Sequence, residues 1–338
     1  MIKEALGKLV DGRSLTEAEA SGVMAEIMAG QVTGAQFGAF VTALRLKGET
    51  VDEITGLARV MRANAVPVKV AGTVVDTCGT GGDGTGTFNI STVTALVAAG
   101  GGIKVAKHGN RAMSSHCGSA DLLEALGVKI DLRAEAVARC IEEVGIGFMF
   151  APGFHPAMKH AAMPRREIGF RTVFNFLGPL TNPAGATVQV LGVADAAMAE
   201  KLAEVLVRLG TGHTLVVHGD DGLDEITLSG ITRVYEASPC GISRYEVAAV
   251  DFKLPSHEIS ELRGSSAEEN AGIARSILDG TMGAHRDVVL ANAGAVFFAA
   301  GKVNNLKEGV FLAADVIDSG KARQVLDKFI TTSNSLAG

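Results

Sequence analysis

The hydrophobic period of the sequence changes near residue 66, and this change constrains the fold more than any other feature. Residues 1–65 carry apolar side chains at helical spacing, and Gly30 and Gly48 stand where left-handed C-caps would end the second and third of four short helices. Three candidate capping boxes divide this region: Thr16 with Glu19, Thr33 with Gln36, and Thr50 with Glu53. After residue 66, short apolar runs alternate with helical windows, as in βα units. We therefore predict an α/β protein with a small N-terminal helical bundle and a large α/β domain.

Seven short segments after residue 66 have the composition of strands. The predicted strands are residues 74–76, 103–106, 147–150, 187–192 and 214–218, followed by 233–236 and 245–247. The C-terminal region is helical again, with apolar stripes over 267–279, 284–300, 305–317 and 320–331. This alternation predicts a mostly parallel central sheet that is covered by helices on both faces.

The same patterns suggest the domain organisation. Residues 1–65 form the predicted helical domain, and residues 72–160 and 186–338 form the α/β domain. A polar, basic segment at about 164–183 interrupts the α/β pattern, and we expect it to return to the helical domain and to create a hinged cleft. Because so small a bundle has a marginal core, we expect it to pack on another domain or on a second subunit as a homodimer.

The composition excludes several classes of protein. Hydrophobic residues make up 47% and charged residues 20% of the 338 residues, which is not the composition of a disordered chain. The net charge of −6, without long runs of either sign, argues against binding to nucleic acid or to a membrane surface. The best apolar run, near 288–300, is too short to cross a bilayer. The four cysteines are widely spaced without a CxxC pair, so we expect reduced thiols in a cytoplasmic protein.

A glycine-rich loop follows the first predicted strand, in the stretch VVDTCGTGGDGTGTFNIST at 74–92. Glycines let backbone N–H groups approach an anion closely, and the N-terminus of a following helix adds partial positive charge. We expect that helix to begin near Thr92, capped by Asn89 or Ser91. The loop therefore predicts an anion site, although a glycine-rich turn without a ligand is the plainer alternative.

Two nucleotide-binding motifs are excluded at this loop. Gly79, Gly81 and Gly84 match GxGxxG, but the next strand ends in the basic sequence KHGNR at 107–111, where a dinucleotide site needs an acidic residue. No GK[ST] closes the loop, so it is not a Walker A motif. Basic residues at this position favour phosphate.

Two further loops are expected at the same edge of the sheet, where α/β proteins bind ligands. Lys107 in KHGNR would act as a flexible cation that faces the glycine-rich loop. After the strand at 214–218, Asp224 and Glu225 offer oxygen ligands suited to Mg²⁺, which usually bridges carboxylates to substrate phosphates. In both loops the alternative is that the charged side chains are exposed to solvent and bind no ligand.

Basic side chains cluster near the proposed hinge, at Arg165, Arg166 and Arg171. An arginine can hold a carboxylate through two hydrogen bonds, and interdomain salt bridges are the alternative. His155 and His160 are five residues apart without an evident third ligand, so we discount a zinc site.

Over essentially its whole length the sequence resembles the anthranilate phosphoribosyltransferase family. The resemblance rests on these stretches: GTGGDGTGTFNIST at 79–92, KHGNR at 107–111, GSADLLEALG at 118–127, HPAM with PRRE within 155–167, FNFLGPLTNPAGA at 174–186, and LDEI at 223–226. It implies the fold shared with pyrimidine-type nucleoside phosphorylases, a dimer formed through the helical domain, and transfer of 5-phosphoribosyl from phosphoribosyl pyrophosphate to anthranilate with one or two Mg²⁺ ions.

The resemblance also implies roles for individual residues. The phosphoribosyl pyrophosphate site would comprise Gly79, Gly82, Asp83, Thr87, Asn89, Ile90, Ser91, Thr92, Lys107, His108, Gly109, Asn110, Arg111, Ala112, Met113, Ser114, Ser115 and Ser119. Lys107 and Asn110 are the implied catalytic residues. The implied anthranilate contacts are Gly79, Asn110, His155 and Arg165, and the implied metal ligands are Ser91, Asp224 and Glu225.

Two other functions remain as alternatives. A pyrimidine nucleoside phosphorylase of the same fold would use phosphate as the nucleophile without a metal, and the Asp224–Glu225 pair and TFNIST argue against it. A non-enzymatic nucleic-acid-binding relative would need a basic face, which the net charge of −6 disfavours.

Overall fold

The computed structural model describes residues 1–112 and 116–337. The N-terminal region folds into four helices, α1 (Ile2–Val10), α2 (Glu17–Met28), α3 (Gly34–Lys47) and α4 (Val51–Ala63). All three predicted capping boxes form at the starts of α2, α3 and α4, with hydrogen bonds in both directions. Gly30, with φ of 71°, directly follows the Ala29 cap of α2, and Gly48, with φ of 85°, caps α3 with an extended ψ.

Within the described residues, seven strands form one sheet, in agreement with the predicted strands. They are β1 (Val75–Gly79), β2 (Val105–Gly109), β3 (Ile146–Phe150), β4 (Val188–Gly192), β5 (His213–Gly219), β6 (Thr232–Ser238) and β7 (Gly241–Val247). Their order is β3-β2-β1-β4-β5-β6-β7. The first five strands are parallel, and β6 and β7 are antiparallel to their neighbours.

Helices cover both faces of this sheet. The α-helices that follow the bundle in the described residues are α5 (Ile90–Gly100), α6 (Ser119–Leu126), α7 (Ala134–Val144), α8 (Ala151–Phe154), α9 (Lys159–Ile168), α10 (Phe174–Leu177), α11 (Ala196–Arg208), α12 (Ala249–Phe252), α13 (Ala267–Leu278), α14 (Ala284–Ala299), α15 (Leu306–Asp318) and α16 (Lys321–Ser335). The buried helix α5 packs against β1, α14 and α16, and α11 packs against β5, β6 and α4. None of the helices in the described part of the chain has the length and apolar character needed to cross a membrane.

Two apolar cores result, one on each side of the sheet. The larger core joins the sheet to α5 and the C-terminal helices. The second core joins the N-terminal bundle to α11 and to sheet residues such as Leu191 and Val216. The bundle therefore shares its core with the α/β part of the chain, which is how a four-helix unit of this size buries enough apolar surface.

The segment that interrupts the α/β pattern is helical and packs against the bundle. Helix α9 contacts α2 and α3, and α10 contacts α4. Phe174 and Leu177 of α10 are buried in the second core. The helix α9 continues through Pro164.

The chain reverses its direction of travel across the sheet at β1. From β1 it proceeds to β2 and β3 on one side, and it then returns to β4 on the other side of β1. The crevice outside the carboxyl ends of β1 and β4 is therefore the topological switch point, the usual ligand site of an open α/β sheet.

Candidate active site

Two paired glycines open the sheet edge at this switch point. Gly79 ends β1, Gly192 ends β4, and the two residues are register partners. A Cβ atom at Gly192 would lie 1.6 Å from the Asp224 carbonyl oxygen, and one at Gly79 would lie 2.1 Å from the Asp224 Oδ2 atom. Asp224 can therefore lie across the ends of both strands only because neither strand end carries a side chain. Its Oδ2 accepts a hydrogen bond of 2.6 Å from the Gly81 N–H.

Glu225 faces the start of helix α5 from the same loop. Its Oε1 accepts a hydrogen bond of 3.1 Å from the Ser91 N–H. Burial raises the pKa of Glu225 to about 7, although Lys107 and the Ser91 N–H oppose this rise. Burial and the charge of Glu225 raise the pKa of Asp224 well above its usual range. The pair is therefore not the solvated acidic turn of the plainer interpretation.

Lys107 lies in the middle of β2, with only 2% of its surface exposed. Its Nζ donates to the Thr77 carbonyl at 2.7 Å and lies 3.4 Å from the Ser91 Oγ. This environment corrects the expectation of a flexible cation on a loop, because the ammonium is held below the edge of the sheet. The side chain is a fixed positive charge between the glycine-rich loop and the acidic pair.

A buried carboxylate lies beneath Lys107. Asp76 accepts a hydrogen bond of 2.7 Å from the Asn182 side chain and one of 3.4 Å from the His108 N–H. Burial raises the pKa of Asp76, while Lys107 has an opposing influence. Asn182 also donates to the Ala106 carbonyl at 2.8 Å, so it fixes the segment after α10 to the N-terminal halves of β1 and β2.

The glycine-rich loop keeps its backbone open. Gly81, Gly82, Gly84 and Gly86 all have φ between 66° and 72°, a conformation that L side chains disfavour. The end of the loop is fixed to the C-terminal region, because the Phe88 N–H donates to the Leu262 carbonyl at 3.0 Å. The Thr92 hydroxyl is buried without a hydrogen-bond partner among the described residues.

The start of helix α5 differs from the prediction. The helix begins at Ile90 and not near Thr92, so Ser91 lies inside its first turn. Asn89 is the N-cap, but its side chain makes no capping hydrogen bond. It donates instead to the Cys117 carbonyl at 2.9 Å and accepts from the Asn270 side chain at 3.0 Å. Long-range partners thus replace the expected local cap.

The loop after β2 is only partly directed at this site. Asn110 is exposed, and its Oδ1 accepts a hydrogen bond of 2.8 Å from the Arg111 N–H. Arg111 forms ion pairs with Asp121 and Glu124 of α6, and these pairs raise its pKa. Met113, Ser114 and Ser115 lie outside the described residues.

His108 and His155 lie together beside the segment at about 164–183, which we call the hinge segment. The rings of His108 and His155 lie 5.0 Å apart. Burial lowers the pKa of His108 to about 3 and that of His155 to about 4. The His108 Nδ1 lies 3.3 Å from the Gly178 carbonyl, whereas its Nε2 and both ring nitrogens of His155 are buried without a well-aligned hydrogen bond. The Thr181 carbonyl slightly opposes the pKa shift of His155.

Arg165 of α9 lies against α10 in the hinge segment at about 164–183. Its guanidinium carbon lies 5.6 Å from the centre of the Phe174 ring, and burial lowers its pKa. Within residues 1–112 and 116–337 it has neither an ion pair nor a hydrogen bond. An interdomain salt bridge is therefore absent from the described residues, and the arginine is available to an anion.

Sequence reasoning did not select three residues of the site: Asp76, Asn182 and Gly192. Gly192 had a detectable signal, because a glycine that ends a predicted parallel strand permits close approach at the ligand edge. Asp76 and Asn182 had none, since their hydrogen bond joins positions 106 residues apart.

Comparisons with known proteins agree with this arrangement. Residues 3–65 match a family described as "Glycosyl transferase family, helical bundle domain", and residues 71–323 match "Glycosyl transferase family, a/b domain". A protein of Chloroflexus aurantiacus named anthranilate phosphoribosyltransferase is 58% identical over 98% of each chain. The chain belongs to the anthranilate phosphoribosyltransferase family.

Solved structures of this family have the same fold. Anthranilate phosphoribosyltransferase from Thermus thermophilus is 48% identical, with a TM-score of 0.92 over 98% of this chain and 99% of that one. The Saccharomyces cerevisiae enzyme in complex with PRPP and Mg is 29% identical, with a TM-score of 0.91 over 99% and 98% of the two chains. A further yeast structure, in complex with 4-fluoroanthranilate, has a TM-score of 0.89 at 28% identity, with 99% and 98% of the two chains covered.

Proposed function

We propose that this protein transfers the 5-phosphoribosyl group of phosphoribosyl pyrophosphate to the amino group of anthranilate. The products are N-(5-phosphoribosyl)anthranilate and pyrophosphate, and the reaction is the second step from chorismate to tryptophan. The observation that carries this proposal is the buried Lys107 ammonium between an open glycine loop and two buried carboxylates, Asp224 and Glu225. The identity to anthranilate phosphoribosyltransferases over the whole chain supports it.

The donor site is proposed at the switch point. The glycine-rich loop and the first turn of α5 would provide backbone N–H groups to the phosphates, together with the free Thr92 hydroxyl. Lys107 would add a fixed positive charge. Arg111 needs to leave its ion pairs with α6 to reach the same ligand, which we expect to cost little because those pairs are solvent-exposed.

The acidic pair is proposed to hold one or two Mg²⁺ ions with Ser91. No group of three or more His, Cys, Asp or Glu side chains in the described ranges forms a ready-made metal site. Two buried carboxylates with raised pKa values nevertheless suit a divalent cation that completes its shell with water and substrate phosphate. Such an ion would supply positive charge to the departing pyrophosphate.

The acceptor site is proposed beside the hinge segment. Arg165, half-buried and without an acidic partner in the described chain, would bind the anthranilate carboxylate. His155, neutral because burial lowers its pKa to about 4, would offer an uncharged wall to the aromatic ring. Gly79 and Asn110 would lie between the two substrates.

Electrostatic stabilisation would supply most of the catalysis. Departure of pyrophosphate leaves positive charge on the ribose and adds negative charge to the leaving group. Lys107 and the backbone N–H groups are positioned to stabilise that negative charge without reorganisation. Because an arylamine is unprotonated at neutral pH, we assign no general base.

A fluorescence assay of anthranilate consumption tests the proposal. We expect consumption that requires both phosphoribosyl pyrophosphate and Mg²⁺, and its abolition at ordinary Mg²⁺ concentration in the isosteric variant Asp224→Asn with Glu225→Gln. Phosphorolysis of a pyrimidine nucleoside, or a gel shift with nucleic acid, without anthranilate consumption would reject the assignment.

We also propose a cytoplasmic homodimer that associates through the helical region. Five large apolar side chains are exposed on this region and on the segment that packs against it: Met1, Val10, Leu46, Met163 and Phe170. None of the four cysteines forms a disulfide bond in the described residues, which suits a reducing compartment.

A further inference from the structure

Arg171 lies in the short connection between α9 and α10, which packs against the helical bundle, yet its side chain reaches the edge of the sheet. Its Nη2 donates a hydrogen bond of 3.1 Å to the Thr80 carbonyl, in the turn that follows β1. Thr80 is itself fixed to β4, because its N–H donates to the Gly192 carbonyl at 2.9 Å. The arginine therefore joins the hinge segment to the turn at the switch point.

The turn is shaped to admit the guanidinium. A Cβ atom at Gly82 would lie 1.4 Å from the Arg171 Nη1, so the guanidinium fills the space that a side chain would occupy. Gly82 has φ of 72°, which also favours glycine. Asp224 contacts the same turn through the Gly81 N–H at 2.6 Å. The turn 79–82 is therefore held between a cation from the hinge segment and a carboxylate from the loop after β5.

The charges around Arg171 are unbalanced. The guanidinium is half-buried; Asp224, Asp83 and, less strongly, Asp195 attract it, whereas Arg45 repels it. In the described ranges it forms no ion pair within 4.0 Å. The charge of Asp83 raises the pKa of Asp224, and the Arg171 guanidinium lies against the same turn at Gly82. Arg171 is thus a cation that faces both Asp83 and Asp224.

We propose that Arg171 is the resident counter-cation of Asp83 and Asp224, and that it competes with a divalent metal ion for this position. The proposal rests on the proposed function, which assigns metal binding to Asp224. A guanidinium and a dication repel each other when they share carboxylates. The metal ion alone therefore binds weakly, and its affinity rises when the pyrophosphate group of the substrate adds negative charge. Metal binding at this site is coupled to displacement of the segment between α9 and α10.

The test is a titration of the full-length protein with Mn²⁺ alone, in which free Mn²⁺ is measured by electron paramagnetic resonance. We expect Arg171→Gln to bind Mn²⁺ about tenfold more tightly than the wild type at low ionic strength. Arg171→Lys retains the charge and is expected to bind Mn²⁺ with nearly wild-type affinity. The matched control is Arg166→Gln on the exposed side of α9, which we expect to leave the affinity unchanged.

Thermal unfolding of the same proteins gives the second measurement. Without ligand, we expect the melting temperature of Arg171→Gln to be lower than that of the wild type, because the turn loses its hydrogen bond. We expect Mn²⁺ to raise the melting temperature of the variant more than that of the wild type. An equal or lower Mn²⁺ affinity in Arg171→Gln overturns the proposal, as does the absence of Mn²⁺ binding by either protein. Failure of the proposed function is a separate result, since the wild type would then consume no anthranilate with phosphoribosyl pyrophosphate.

Discussion

At the residue scale, the Lys107 ammonium lies between the Thr77 carbonyl and the Ser91 hydroxyl, with the carboxylates of Asp76 and Glu225 nearby. Lys107→Met keeps the aliphatic part of the side chain and removes the charge. We expect turnover to fall roughly ten- to hundredfold, because a charge-assisted hydrogen bond contributes about 1.5 to 3 kcal/mol. Steady-state assays measure this loss.

The same variant also tests the structural environment of Lys107. Because the ammonium is buried, we expect the free energy of unfolding to fall by about 1 to 3 kcal/mol as the Thr77 carbonyl loses its donor. Denaturant unfolding measures this change. Turnover close to that of the wild type would contradict the catalytic assignment, even if the stability falls as expected.

A substitution at Arg165 is expected to affect the KM for one substrate and not the KM for the other. Arg165→Ala should raise the KM for anthranilate roughly ten- to hundredfold, which corresponds to a lost charge-assisted hydrogen bond, and should change the KM for phosphoribosyl pyrophosphate little. Two substrate titrations measure this difference. An equal rise of the KM for both substrates, together with a lowered melting temperature, would instead show that Arg165 joins the two parts of the fold.

The buried His155 predicts a loss of stability in acid. Its pKa is about 4 in the folded protein and near 6.5 when unfolded, so the unfolded state binds more protons between these values. Stability therefore falls as the pH falls from about 6.5 towards 4. Denaturant unfolding at pH 7, 6 and 5 should show a shallower decline in His155→Asn than in the wild type. Parallel declines would contradict the burial of a neutral imidazole.

At the scale of elements, the carboxyl ends of β1 and β4 determine where the acidic loop can lie. Gly192→Ala would place a methyl group against the Asp224 backbone, so the loop has to shift. We expect activity to fall by more than tenfold, since a misplacement of about 1 Å in a catalytic group can cost about a hundredfold in rate. The matched control is Gly272→Ala in α13, where a Cβ atom has no neighbour within 4 Å.

That control should retain activity and gain about 0.5 to 1 kcal/mol of stability, because alanine is the better helix former. Activity assays and thermal melts of both variants make the comparison. If Gly192→Ala is as active as Gly272→Ala, the close approach of Asp224 to the strand ends is not needed for function.

The predictability of these elements depends on the range of the interactions that form them. The strands and the capping boxes were predictable, because β-branched runs and S/T-x-x-E/Q spacing are local signals. The start of α5 was not, since Asn89 is held by Cys117 and by Asn270, which is 181 residues away. The pairing of Gly79 with Gly192 was equally hidden, because strand order in a sheet is a long-range property.

At the scale of the whole molecule, the N-terminal bundle lies on the sheet and contributes to its second core, while large apolar side chains remain outside that core. The sequence predicted the marginal size of the bundle and the return of the segment at about 164–183 to it, but it did not show that α11 and the sheet complete its core. Val10 on α1 and Leu46 on α3 are 78% and 83% exposed, and α1 packs against α3. Exposure of this kind on adjoining helices favours an interface.

Val10→Asp is therefore expected to weaken self-association at least about tenfold, because a charge would enter an apolar interface. The chain offers a matched control, since Val250 in α12 is the same residue type with the same 78% exposure. Val250→Asp should leave the association unchanged, because α12 lies in the α/β part of the chain. Sedimentation velocity over a range of protein concentrations measures both variants beside the wild type. A wild type that sediments as a monomer, or equal effects of the two substitutions, would contradict association through the helical bundle.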